Sequence, residues 1–269
     1  MKKLLFFYLI TILLIGLTGI WLAAGYPGIL KTNYQGSFQR LHNTENGFHK
    51  NSILQRFSER IEKSQNVLIG DSEAISIGDL FVRKFGFNSG IYALSGCSFL
   101  PESIQRPNQP SGCLEFRAKI YRFVLNSKTE NIFIFNRFTP ISEQETLLYV
   151  TFLKSLQHDD NEIIVIGHPV ELVNQFSAYA TLLFPVGFNT PKQFNRTDFS
   201  SASLKWNSSL SEYIKKFNNQ KIKYINTDEI LFSKFPSTLK DNTGRFLYTD
   251  STHLSLYGGE ILMKYLSGS

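Results

Sequence analysis

Short apolar runs alternate with amphipathic stretches along most of this chain. Val67-Leu-Ile69, Ser89-Gly-Ile-Tyr-Ala-Leu-Ser-Gly96 (running into a Gly-rich turn), Asn131-Ile-Phe-Ile-Phe-Asn136, Glu162-Ile-Ile-Val-Ile-Gly167 and Lys223-Tyr-Ile-Asn226 read as five strands. None alternates apolar with polar, so each is expected to be covered on both faces. Between them lie helical periods. Ala74, Ile75, Ile77, Leu80, Phe81 and Phe85 recur at three- and four-residue spacing, and 114–125, 143–156, 204–217 and 256–266 follow suit. Ile53, Leu54, Phe57 and Ile61 outline a leading helix over 50–63. Residues 171–205 carry no clear period, although Thr190-Pro-Lys-Gln and Asn195-Arg-Thr point to an ordered loop. Strand alternating with helix predicts an α/β fold, with a mostly parallel five-stranded sheet between two helical layers. Sites in such sheets lie beyond the carboxyl ends of the strands. Ser72, Gly90 or Gly96, Asn136, His168 and His253 all fall there.

The amino terminus has a different pattern. Lys2-Lys3 precede an uncharged run from Leu4 to Gly25, just over twenty residues, with Trp21 and Tyr26 at its far end. That length and that aromatic belt fit a single transmembrane helix. Leu22-Ala-Ala-Gly25 would also serve as a signal-peptide cleavage site. Either way the lysines stay cytoplasmic, and the chain from about residue 27 faces the periplasmic or extracellular side. The expected organisation is an anchor or signal peptide over 1–26, a juxtamembrane linker and leading helix over 27–63, and one domain over 64–269.

Composition narrows the function. The 269 residues with 42% hydrophobic content suffice for one sizeable core. The net charge of +6 is spread along the sequence without a dense cationic run, and the 24 Phe do not interleave with Arg. This argues against nucleic-acid binding, and suits an acidic glycan or membrane face. The two cysteines, Cys97 and Cys113, flank a Pro-rich polar segment. In an exported chain they are expected to pair, closing a loop whose constraint is worth about 3 kcal/mol. No further Cys or His lies near enough in sequence to suggest a metal site.

Two short motifs carry the chemistry. Gly70-Asp-Ser72 sits where the first strand turns into its helix. A serine there presents its hydroxyl beside helix-start N–H groups that can stabilise an oxyanion. The same triplet is also what an ordinary helix cap looks like. Asp250-Ser-Thr-His253 lies in the last loop before the final helix. A histidine base needs a carboxylate on its second ring nitrogen, and an Asp three residues earlier can reach it across one turn; alone, this motif could equally be a capped turn with a surface histidine. Asp71 is expected to hold its turn, and His168 to play a structural or substrate-contacting part. His42, His49 and His158 fall in linker or loop contexts and receive no role.

Together these motifs resemble the SGNH (GDSL) esterase and acyltransferase superfamily. More narrowly they resemble the exported SGNH domain attached to membrane acyltransferase-3 proteins, which O-acetylate surface polysaccharides. Supporting stretches are Leu94-Ser-Gly-Cys97, the Cys97/Cys113 loop, Ile132-Phe-Ile-Phe-Asn-Arg137 and Tyr248-Thr-Asp-Ser-Thr-His-Leu-Ser255. The resemblance spans roughly 64–266. It implies a flavodoxin-like three-layer sandwich with Ser72 as nucleophile, His253 as general acid and base, and Asp250 as its orienting carboxylate. It also implies an oxyanion hole from the Ser72 N–H, a glycine N–H (Gly96, with Gly90 as the alternative) and an asparagine side chain. The usual Gly-x-Asn-Asp pattern is missing, and Asn136, with Arg137 beside it, is the nearest occupant. Glu73 stands where the polysaccharide-acylating group often has a histidine. No metal or nucleotide cofactor is implied; an acyl group would come from a carrier or membrane partner and pass to a cell-surface polysaccharide. An anchored esterase and a catalytically silent glycan-binding protein are the competing readings.

Overall fold

In a computed structural model, the described residues are 64–106, 109–137, 142–158, 161–172, 199–217, 219–234, 245–248, 250 and 252–266. The expected membrane segment, linker, leading helix, His42, His49 and most of 171–205 lie outside them. Among the described residues no helix is long and apolar enough to cross a membrane.

Five strands form one sheet: β1 (Asn66–Gly70), β2 (Ser89–Ala93), β3 (Asn131–Phe135), β4 (Glu162–Ile166) and β5 (Ile222–Ile225). Their order is β2-β1-β3-β4-β5 and every described pairing is parallel. The strand order reverses between β1 and its neighbours, so the chain leaves β1 at the crevice where such sheets bind ligands. Alternate residues of each strand enter opposite cores. Leu68, Phe133, Ile164 and Ile166 pack against α1 (Ser72–Phe85), α5 (Thr227–Lys234) and α6 (Leu256–Tyr265). Val67, Ile69, Ile132, Ile134, Ile163 and Val165 pack against α2 (Cys113–Asn126), α3 (Glu143–Ser155) and α4 (Ser201–Lys216). The three layers predicted from the unalternating apolar runs are therefore present.

The second strand ends at Ala93, and the Gly-rich turn expected after it is Leu94–Cys97, closed by the Cys97 N–H donating to the Leu94 carbonyl at 3.0 Å. Gly96 takes φ +72° there, the left-handed region that favours glycine. Asn226, expected to finish the fifth strand, instead accepts the Asp228 N–H at 3.1 Å and starts α5. That helix was not anticipated.

Gly70 is what lets β1 end so tightly. A Cβ at this position would lie 1.9 Å from the Phe135 carbonyl oxygen and 2.8 Å from the Ala74 Cβ. Both neighbours belong to the central sheet and the first helical turn, and neither can swing aside. Gly70→Ala is expected to destabilise the fold by about 3 kcal/mol, the upper end of ordinary overpacking, read as a lower denaturation midpoint in urea.

Cys97 and Cys113 form the expected disulfide, with their Cα atoms 5.6 Å apart. The bridge ties the turn after β2 to the first residue of α2. Inside the loop, the buried Arg117 donates from Nε to the Ser98 carbonyl at 2.8 Å and from Nη1 to that of Ile104 at 3.0 Å. The loop beside the carboxyl edge of β1 is thus held from its bridge and from within.

Candidate active site

Ser72 is the first residue of α1, immediately after the β1 turn. Asp71 caps that helix, its Oδ1 accepting the Glu73 N–H at 3.0 Å. Its Oδ2 accepts the Ser98 hydroxyl at 2.6 Å and the Arg137 N–H at 2.9 Å. One carboxylate therefore ties the serine turn to the cysteine loop and to the end of β3. The N–H groups of the first helical turn have no intrahelical acceptor, so the positive end of α1 opens toward Ser72.

His253 reaches Ser72 from the far end of the chain. The pairing of Tyr248 with Leu254 closes its loop, and Ser255 caps α6 by accepting the Gly258 N–H at 3.1 Å. His253 Nε2 lies 2.9 Å from Ser72 Oγ, and Nδ1 lies 2.7 Å from Asp250 Oδ2. Asp250 Oδ1 accepts the backbone N–H groups of Thr252 and His253, each at 2.8 Å. The three residues singled out by the two motifs thus form one hydrogen-bonded chain.

The electrostatics follow from these contacts. Burial alone would lower the basicity of His253, but its hydrogen bond to Asp250 and the nearby Glu73 charge outweigh that and raise it to about 9. Burial works against ionised Asp250, yet the His253 hydrogen bond and the two backbone donors bring it down to about 2. Glu73 is pushed up to about 7 by desolvation, opposed by His168 and His253. A group whose folded value is raised stabilises the fold below its unfolded value and loses that contribution as pH climbs through the folded one. For Glu73 that window runs from 4.5 to about 7, and for His253 from 6.5 to about 9. The unfolding free energy is therefore expected to decline between pH 5 and pH 9, measurable by urea titration at both ends and at pH 7. Asp250 acts in the opposite sense, its contribution present above 3.8 and lost toward about 2.

Gly96, Ser72 and Asn136 follow β2, β1 and β3, three adjacent strands. Gly90 pairs with Val67 inside the ladder, which leaves Gly96 as the glycine beyond the strand end. The Asn136 amide is engaged: Oδ1 accepts the Phe99 N–H at 3.0 Å and Nδ2 donates to the Phe99 carbonyl at 3.1 Å. The Arg137 guanidinium meets Glu171 Oε1 at 2.7 Å. His168 is buried at the end of β4, its Nε2 also 3.0 Å from Glu171 Oε1. That pairing, ahead of burial and with help from Arg137, holds Glu171 down at about 2. His158 precedes β4 at the opposite, amino edge of the sheet. Glu73, marked by the sequence only as a departure from the family pattern, also belongs to the site. It turns inward beneath His253, with Oε1 3.8 Å from Nε2 and 3.9 Å from His168 Nδ1. Its position next to a candidate nucleophile, where the resembled group often has a histidine, was the signal.

A family model described as an SGNH domain (fused to AT3 domains) matches residues 41–267. No curated protein matches the sequence. Among solved structures, the periplasmic domain of a lipopolysaccharide acetyltransferase from Salmonella ser. Paratyphi A aligns with a TM-score of 0.62 at 16% identity, covering 86% of this chain and 98% of that one. At that identity the likeness concerns the fold. A Streptococcus pneumonia protein named for platelet activating factor aligns with a TM-score of 0.46 at 13% identity, covering 85% of this chain and 97% of that one.

Proposed function

Because the chain belongs to the SGNH domain family, we propose that it is an exported serine O-acyltransferase that acylates a cell-surface polysaccharide through an acyl-serine intermediate. The observation that carries this reading is the unbroken hydrogen-bond chain from Ser72 through His253 to Asp250. A serine is a weak nucleophile until an adjacent base accepts its proton and a carboxylate orients that base.

In this reading Ser72 Oγ attacks the acyl carbon while its proton passes to His253 Nε2. The tetrahedral oxyanion is received by the N–H groups of Ser72 and Gly96, within reach of the positive end of α1. Asn136 is braced on Phe99 through its Oδ1 and one of its two amide N–H groups; the second N–H of that amide is the third donor of this oxyanion hole. Collapse breaks the bond from acyl carbon to leaving group, which departs with the proton from Nε2. A sugar hydroxyl then attacks the acyl-serine, its proton moving to Nε2 and on to Ser72 Oγ. The nucleophile, base and oxyanion donors all come from the chain, so this scheme calls for no resident cofactor.

The family description, fused to AT3 domains, supports a membrane acyltransferase as the partner that delivers the acyl group. The Salmonella domain, periplasmic and part of a lipopolysaccharide acetyltransferase, supports an exported site and a polysaccharide acceptor. The uncharged run from Leu4 to Gly25 would then anchor the protein in the cytoplasmic membrane.

The test is incubation with an activated acetyl ester, followed by peptide mass spectrometry with and without oligosaccharide acceptor. Acetyl on Ser72, released faster when sugar is added, is the expected result. Rapid release to water, indifferent to sugar, would make the protein an esterase. A folded protein that never acquires the adduct, even beside a membrane acyltransferase, would overturn catalysis in favour of glycan binding.

A further inference from the structure

Glu73 has a place that neither the fold nor the triad requires. A glutamate in the first turn of a helix ordinarily extends to solvent, where it complements the helix dipole. Here the side chain is 0% exposed, and neither carboxyl oxygen has a hydrogen-bond partner among the described residues. Such burial of a carboxyl group is costly and persists where neighbours offset it. The neighbours are two imidazoles. Oε1 stands 3.8 Å from His253 Nε2, the nitrogen that meets Ser72, and 3.9 Å from His168 Nδ1. That Nδ1 is itself buried and unpartnered. These separations are too long for hydrogen bonds, yet well inside the range where opposite charges act strongly in a water-poor site.

We propose that Glu73 is a positioning residue of the reaction: from between two histidines, its carboxylate sets the charge of the His253 ring and stabilises the imidazolium formed when Nε2 takes the Ser72 proton. The inference rests on the serine-transfer reading above. His253 is then flanked by two carboxylates, Asp250 at Nδ1 and Glu73 beside Nε2. Glu73 forms no bond to substrate; the proton travels from Ser72 Oγ to Nε2 and on to the leaving group as before. The other groups that bear on this pair are Asp71 in the serine turn, Arg137 after β3, His168 after β4 and Tyr248 before the histidine loop. All of them stay in place when Glu73 alone is changed.

The experiment uses the full-length chain in detergent and compares wild type with Glu73→Gln, which keeps the shape and removes the charge. Two quantities are followed from about pH 5 to 10: kcat/KM for p-nitrophenyl acetate, and the ring-nitrogen NMR titration of His253, assigned by difference from a His253→Gln sample. Both midpoints are expected to fall by about 1–3 pH units, the usual influence of one opposite charge at this distance. The alkaline plateau of kcat/KM should fall about tenfold per unit, because the transition-state imidazolium loses the same support. Glu73→Asp, with its carboxylate drawn back by one methylene, should lie between and carries the test if the glutamine variant does not fold. A glutamate that merely fills space would leave both midpoints where they are, and that result overturns the proposal. The NMR titration needs no turnover, so a protein that transferred no acyl group would still report whether Glu73 governs His253.

Discussion

Alanine at Ser72 is expected to abolish the acetyl adduct and to lower turnover about ten-thousand-fold or more, the scale seen when one member of a cooperating triad is removed. The Ser72 hydroxyl makes its hydrogen bond to His253 Nε2 at 2.9 Å. His253, Asp250 and the N–H groups at the start of α1 would remain. Whatever rate survives would report binding and oxyanion stabilisation without a nucleophile. Ser72 is part-exposed at the start of the helix while Asp71 does the capping. Stability should accordingly change by no more than about 0.5 kcal/mol. Intact-mass measurement of the adduct, paired with a urea denaturation curve, separates lost chemistry from lost fold.

Asparagine at Asp250 should lower kcat by about ten-thousand-fold as well, through the tautomer of His253 rather than through loss of a reacting atom. Asp250 Oδ1 serves the backbone N–H groups of Thr252 and His253, and Oδ2 serves Nδ1 of the ring at 2.7 Å. An asparagine can keep its oxygen on the two backbone donors, which places its NH2 group against Nδ1. That contact is satisfied only if Nδ1 becomes the acceptor and Nε2 carries the hydrogen, so the nitrogen facing Ser72 can no longer take its proton. The charge-assisted hydrogen bond that, together with the neighbouring carboxylates, overcomes burial and raises His253 to about 9 is also lost. The acid limb of kcat/KM should consequently move to lower pH even as the plateau collapses. A pH–rate profile that kept its midpoint would show that Asp250 serves the loop and not the ring.

Much of the site was legible because its chemistry is local. Gly70-Asp-Ser72 reads as a strand-to-helix turn, and the structure gives each residue a matching job: Gly70 clears the Phe135 carbonyl, Asp71 caps, and Ser72 opens the helix. Asp250 and His253 are three apart, close enough for one turn to join them. Other features depended on distant contacts. Asn136 could be placed at the end of β3 from the apolar run before it, but not tied to Phe99, 37 residues away. Glu73 follows Asp71 and Ser72 in a polar triplet, and nothing in that spacing marks it as buried. Helix α5 escaped notice because Ile230 and Leu231 offer too short an apolar period across its eight residues.

The α/β alternation, the burial of β1 to β4 on both faces and the residue types that meet at Ser72, Asp250 and His253 are readable from the sequence alone, whereas β5 leaves Lys223 exposed. These follow from period and from short-range backbone geometry, which act between near neighbours. Only the tertiary structure decided that Ser72 and His253, 181 residues apart, share a hydrogen bond, and that Glu73 lies under the same ring beside His168. Those contacts arise where β1, β4 and the loop before α6 converge at one edge of the sheet. Strand order and helix packing set that convergence, and neither is encoded in any single local spacing.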